Sequence, residues 1–267
     1  MSCLDLLRVY QFDTSKKIRL GVNTDGGYVI ADIGGSAAEG AEGGPYDCYI
    51  SAGVSNEESF TRDFLQRYSS SCSLNETNCF AFDGTIAAYP TQYTDKITFF
   101  KKNIGGAAED VEAGAGVAAG AISETNLLFL LNKYSRVFLK MDIEGGEYPW
   151  LLRMTADDLR KIKQMVIEFH GITGTGWGSP FEDKWACIKK LAETHYIVHA
   201  HGNNYGHVIS HIPDVIELTC IEKSYFSDGG VVPDLNKSPL PIIGLDFANC
   251  SGRHDIDLNV FPFVSNH

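Results

Sequence analysis

The sequence predicts an α/β fold in which a mostly parallel central sheet is flanked by helices and preceded by an N-terminal β-hairpin. Three observations predict it. Short apolar runs of strand length alternate with longer runs whose apolar residues recur at helical spacing. Polar clusters close one strand run after another. The composition, 44% hydrophobic and 11% aromatic over 267 residues, supplies one sizeable core.

The elements follow in order. From Ile18 to Ala31 two short β-like runs surround a turn at Asp25-Gly26-Gly27, which predicts a hairpin. Residues 34–44 are Gly, Ala, Ser, Glu and Pro-flanked glycine without an apolar period, and predict a surface loop. Tyr46–Ala52 reads as a strand, Gly53–Asn56 as a tight turn, and Glu57–Tyr68, with Phe60, Phe64 and Leu65 at helical spacing, as a helix. Asn78–Phe82 and Ile97–Lys101 are further strands. Ser123–Tyr134 reads as a helix with Ser123 as N-cap, and Val137–Met141 as an apolar strand ending at Asp142. Pro149–Lys163 is a helix by its apolar spacing, Met165–Phe169 a strand, and Phe181–Thr194 a helix. Tyr196–Ala200 and Val215–Ile221 complete the strands before a polar tail with several prolines. No repeat or linker divides the chain. The expected organisation is one domain over 1–267, with an N-terminal extension at 1–45, a core at 46–222 and a C-terminal tail at 223–267 packed on that core.

Charge narrows the function classes. A net charge of −12 leaves no basic field for a nucleic-acid backbone, so no nucleic-acid partner is expected and a neutral small-molecule acceptor fits better. The N-terminal apolar run is too short for a signal peptide or a membrane helix, which gives a cytoplasmic reading with no membrane partner. Seven cysteines without a Cys-x-x-Cys pair read as reduced thiols rather than a disulfide or zinc framework.

A parallel sheet binds ligands at the carboxyl ends of its strands. Ser51–Ser55, Asp83, Asp142–Gly146, Glu168–His170 and His201–Asn204 all stand at expected strand ends, and this coincidence directs attention to them. Within them, Phe138-Leu-Lys-Met-Asp-Ile-Glu-Gly-Gly-Glu147 resembles the FkbM-type methyltransferases, in which an apolar strand runs into Lys-x-Asp-x-Glu-Gly-x-Glu. The likeness extends to Tyr49–Ser55, at the place of the first cofactor loop, and to His201–Asn204, covering roughly residues 45–222; Asp25-Gly-Gly-Tyr28 looks like an extension used by one branch. The resemblance implies a Rossmann-like methyltransferase fold, S-adenosyl-L-methionine as cofactor, and a sugar or glycoconjugate hydroxyl as acceptor. The chain departs from the family where the acidic residue and multiple glycines of the cofactor loop are reduced to Ser51 and Gly53. The absence of a Gly-x-Gly-x-x-Gly run weakens the nicotinamide-dependent oxidoreductase that is the main rival; a non-catalytic binding module is the other.

The residue chemistry sorts into roles. Gly53 lets the backbone approach the cofactor, with Ser51 and Ser55 offering hydroxyls, although a plain βα turn needs such a glycine too. Asp83 is placed to accept ribose hydroxyls, or is a loop aspartate. Asp142, Glu144, Glu168 and His170 are the catalytic candidates, because an aliphatic hydroxyl needs a base worth roughly 10²- to 10⁴-fold. Asp142 is also a cofactor candidate, and a buried structural carboxylate is its alternative; Glu147 reads as a helix N-terminal charge. His201, Asn203 and Asn204 either hold substrate hydroxyls or shape a turn. His195, His199, His207 and His211 read as structural or exposed, and Trp177 lies in a glycine-rich segment where its ring can cover a sugar. The same four residues could instead be ligands of a magnesium or calcium ion, but no ligand spacing requires one, so no metal is expected: His170 or Glu168 is the expected base and Asp142 the residue that orients it or the acceptor.

Overall fold

The structure, a computed structural model, describes residues 2–35, 44–106, 123–174, 176–226 and 232–265. Most of the loop expected over 34–44 lies outside these residues. The strands are β1 (Lys17–Leu20), β2 (Tyr28–Ala31), β3 (Cys48–Ala52), β4 (Cys79–Phe82), β5 (Thr98–Phe100), β6 (Asn103–Ile104), β7 (Glu124–Thr125), β8 (Val137–Met141), β9 (Ile162–His170), β10 (His195–Gly202), β11 (Val208–Ile209), β12 (Ile212–Pro213) and β13 (Val215–Glu222). The helices are α1 (Ser59–Cys72), α2 (Leu128–Leu131), α3 (Glu147–Arg153), α4 (Ala156–Leu159) and α5 (Phe181–Thr194).

Seven strands form the central sheet in the order β10-β13-β9-β8-β3-β4-β5. β3, β4, β5, β8 and β9 run parallel to one another, and β13 lies antiparallel between β9 and β10. The mixed α/β architecture with a mostly parallel sheet is therefore present. Its parallel strands are continuous apolar runs because both faces are covered: β3, β4 and β8 are buried at every position.

Alternation sends the side chains into two cores. Ile50, Leu139, Met141, Met165 and Ile167 face one side, where they meet Trp150 and Leu151 of α3 and Ile188 and Leu191 of α5. Tyr49, Phe138 and Val166 face the other, where Phe60, Phe64 and Tyr68 of α1 stack against them. There the β1–β2 hairpin does the work of a second helix. It is pinned by the Gln164 amide at Ala31, by the Thr219 hydroxyl at the Val29 carbonyl, and by the buried Lys17 ammonium at the Val198 carbonyl, 2.7 Å. The tail contributes Leu240, Leu258, Phe263 and Val264 to the first core.

Two expected helices are corrected. Ser123 is not the N-cap of that helix: its carbonyl accepts the Asn103 amide, Glu124–Thr125 pair with β6, and the helix is confined to Leu128–Leu131 after Leu127 at φ +67°. The helix expected over Pro149–Lys163 is two, α3 and α4, split where Thr155 makes a capping box with Asp158, while Ile162 and Lys163 already belong to β9. All seven cysteines are free thiols, and among the described residues no helix is long and apolar enough to cross a membrane.

Candidate functional site

The chain runs outward from β3 through β4 to β5, then returns to build β8 and β9 on the other side of β3. Strand order thus reverses between β3 and β8, the place where open α/β sheets hold ligands. Two clefts open there. The larger, about 660 Å³, lies beyond β3 and β4 and is lined by Gly53, Ser55, Asp83, Thr85, Lys102, Asn103, Glu124 and the Asp142–Gly146 turn. The smaller, about 400 Å³, lies beyond β8 and β9 and is lined by Asp25, Glu168, His170, Trp177, Asn203, Tyr205 and Asp214. Asp142 and Glu144 border both.

The β3–α1 turn is shaped by the sheet itself. Gly53 has φ +78°, and a β-carbon there would stand 1.6 Å from the Asp142 carbonyl oxygen, so the glycine is required by the neighbouring strand end before any ligand arrives. Its amide donates to the Phe82 carbonyl at 3.0 Å. Its carbonyl accepts the buried Lys140 ammonium at 2.6 Å, which explains the lysine of the β8 motif. Ser55, also at positive φ, lines the larger cleft. Ser51 does not, contrary to its expected cofactor role: it is fully buried and donates inward to Glu58 Oε1 at 2.9 Å. Glu58, whose carboxyl is pushed up by burial, also accepts from Thr61 and Tyr89.

Asp83 sits where expected, but its oxygens are occupied. Oδ2 accepts the amides of Val54 (3.1 Å) and Ser55 (2.8 Å), and Oδ1 accepts the amide (2.7 Å) and hydroxyl (2.6 Å) of Thr85. A carboxylate has about four lone-pair sites, so a ribose hydroxyl reaches Asp83 only by displacing one of these donors. Burial works against its charge, yet the hydrogen bonds hold its carboxyl below the usual range.

Asp142, Glu144, Glu168 and His170 do converge. His170 Nε2 faces Glu168 Oε1 at 3.4 Å, Glu144 Oε2 at 3.5 Å and Asp142 Oδ1 at 3.8 Å, while Nδ1 meets Glu147 Oε1 at 3.0 Å. Glu168 and His170 lie inside β9 rather than after it. Burial and the nearby Asp142 raise the Glu168 carboxyl to about 8. Burial opposes a charged His170, but Glu147 and Glu168 overcome it and raise the imidazole to about 11. Glu144 differs from the others. Its side chain is 68% exposed, its backbone is at φ +55°, rare for a residue with a side chain, and burial of its inner part raises its carboxyl. Glu147 starts α3, as a helix N-terminal charge would, but its carboxylate also accepts the Ile143 amide and holds His170.

Sequence reasoning missed what the hairpin brings. Tyr28 donates to Asp142 Oδ2 at 3.0 Å, and Asp25 lines the smaller cleft while accepting the Asn249 amide at 3.1 Å. The only signal was the Asp25-Gly-Gly-Tyr28 motif, read as an extension. Asn203 borders the smaller cleft and donates to Glu168 Oε1 at 2.9 Å. His201 and Asn204 border neither cleft. The His201 nitrogens meet Glu217 (3.1 Å) and Asp255 (3.0 Å), and the Asn204 amide donates to the carbonyls of Cys250, Arg253 and His254, so both residues bind the tail rather than a substrate.

Trp177 lines the smaller cleft with 44% exposure, its ring 4.8 Å from that of His170. Its segment is held by one cation: the Lys184 ammonium of α5 donates to the carbonyls of Gly171 (2.6 Å), Gly174 (3.0 Å) and Gly176 (2.6 Å). Comparison of the chain with protein-family models, with curated proteins and with solved structures finds no match, so the reading of this site rests on its own geometry.

Proposed function

We propose that the chain is an S-adenosylmethionine-dependent O-methyltransferase of the Rossmann-like kind, acting on a hydroxyl of a sugar or glycoconjugate. The observation that carries this reading is the pair of clefts sharing one wall at Asp142 and Glu144. Such a wall suits a transfer between two ligands, one held on each side. The larger cleft is of ligand size and is lined, among the described residues, by four carboxylates, Asp83, Glu124, Asp142 and Glu144, against one cation, Lys102. That field favours a sulfonium and opposes the pyrophosphate of a nicotinamide cofactor.

S-adenosylmethionine supplies an electrophilic methyl group, whose bond to sulfur breaks as a bond to the acceptor oxygen forms. The chain must hold that oxygen in line and take its proton. Gly53, Ser55, Asp83 and Asp142 are the residues placed to bind the cofactor, Asp83 by exchanging a Thr85 contact for a ribose hydroxyl. Glu144 is the group placed to take the proton, because it alone of the four candidates is largely free to move and borders both clefts. This revises the expected base: Glu168 is 3% exposed with Oε1 committed to Asn203, and His170 is fixed by Glu147. Trp177 and Asn203 suit a sugar, one by its apolar face and the other by an amide that both donates and accepts.

Calorimetry with S-adenosylhomocysteine and with NAD, followed by transfer of labelled methyl to a panel of glycosides, tests the reading. Binding of S-adenosylhomocysteine alone and a labelled ether product are expected. Binding of NAD instead, or of neither, overturns it.

A further inference from the structure

We propose that Asp142, Glu168 and His170 form a divalent-cation site, with Glu147 orienting the histidine and the open side of the ion facing the smaller cleft. One ligand atom from each of the three lies within 4.8 Å of the others. His170 Nε2 stands 3.4 Å from Glu168 Oε1 and 3.8 Å from Asp142 Oδ1. These separations exceed a normal N–H···O bond of about 2.7–3.2 Å. The first lies within, and the second just beyond, the roughly 3.0–3.7 Å between neighbouring ligands of an ion bound at about 2.1 Å.

Two further observations point to a ligand. Glu168 is 3% exposed, borders the cleft, and leaves its Oε2 without a hydrogen-bond partner among the described residues, a deficit that a cation in the cleft would complete. The Glu147 carboxylate, fully buried, meets the other ring nitrogen of His170 at 3.0 Å. A carboxylate on Nδ1–H is the arrangement that turns the Nε2 lone pair toward a metal. The smaller cleft brings together five carboxylates, those of Asp25, Asp142, Glu144, Glu168 and Asp214, and among the described residues no lysine or arginine lines it.

Two carboxylates and one imidazole suit magnesium or manganese, hard ions that keep open positions for other oxygen ligands. Resting on the methyl-transfer reading, those positions would take two adjacent oxygens of the acceptor, orienting one hydroxyl and making its proton easier for Glu144 to remove. This replaces the expectation of a metal-free site.

The test uses metal-stripped full-length protein and Mn²⁺ alone. Calorimetry is expected to give one Mn²⁺ per chain, and pulsed electron paramagnetic resonance of that complex to show coupling to one imidazole nitrogen. Glu168→Gln and His170→Gln are expected to weaken binding by at least about tenfold, and Glu147→Gln by about ten- to a hundredfold, while His254→Gln, at an exposed residue that lines neither cleft, leaves it unchanged. No stoichiometric binding, or binding without nitrogen coupling, overturns the site without reliance on any variant. Failure to bind S-adenosylhomocysteine with Mn²⁺ still bound would sink the methyltransferase reading and leave the ion site standing.

Discussion

The Tyr28 hydroxyl donates to Asp142 Oδ2 at 3.0 Å across 114 residues of chain, so the N-terminal hairpin holds a side chain at the centre of the candidate site. Tyr28→Phe removes only that donor. The expected result is a folded protein less stable by no more than about 1.5 kcal/mol. Its methyl-transfer kcat should fall about tenfold, or ~1.4 kcal/mol of barrier. Affinity for S-adenosylhomocysteine should hold, and steady-state rates beside calorimetry check both.

Gly53→Ala puts a methyl group 1.6 Å from the Asp142 carbonyl oxygen at φ +78°. The turn cannot yield without moving Asp142 and the Lys140 anchor. A loss of more than about 2 kcal/mol in chemical denaturation is expected, along with weakened cofactor binding. An unaltered midpoint would mean that the turn accommodates a side chain.

Trp177→Ala separates the two clefts, because the ring borders only the smaller one. An aromatic contact of about 0.5–1.5 kcal/mol predicts an acceptor KM raised roughly 2- to 12-fold, with cofactor affinity constant. An equal change in both would show that the clefts are not independent.

His201 gives a pH signature. Burial disfavours its charge, but Glu217 and Asp255, with Asp246 nearby, raise the imidazole to about 10 from an ordinary 6.5. The proton therefore adds stability in full below about pH 6.5, and that contribution declines as pH rises through 10. In denaturation series, the stability gap between the parent and His201→Gln should be widest near pH 6 and close toward pH 10. A constant gap would exclude the charged pairing.

The sheet was legible because its strands are buried on both faces and therefore read as mostly apolar runs: the strand Val137–Met141 matches its expected bounds residue for residue, as does the helix Phe181–Thr194. The convergence of Asp142, Glu144, Glu168 and His170 was legible from strand ends. What escaped was how separate elements pack on one another. Nothing local marks Ser51 as turned inward to Glu58, or His201 and Asn204 as fastened to a tail some 50 residues away. The capping box of Thr155 and Asp158 was present in the sequence and outweighed by the apolar spacing around it.

The three carbonyls gathered on Lys184 fix the Trp177 segment through its backbone alone. Among the described residues the Lys184 contacts use no side chain of that segment, so its side chains, apart from the Thr173 hydroxyl that donates to Asp214, can be exchanged while the anchor persists. On the proposed methyl-transfer reading, acceptor preference would thereby be a separable trait: a library confined to Trp177 and its neighbours could be screened for new glycosides while the residues of the larger cleft stay unchanged.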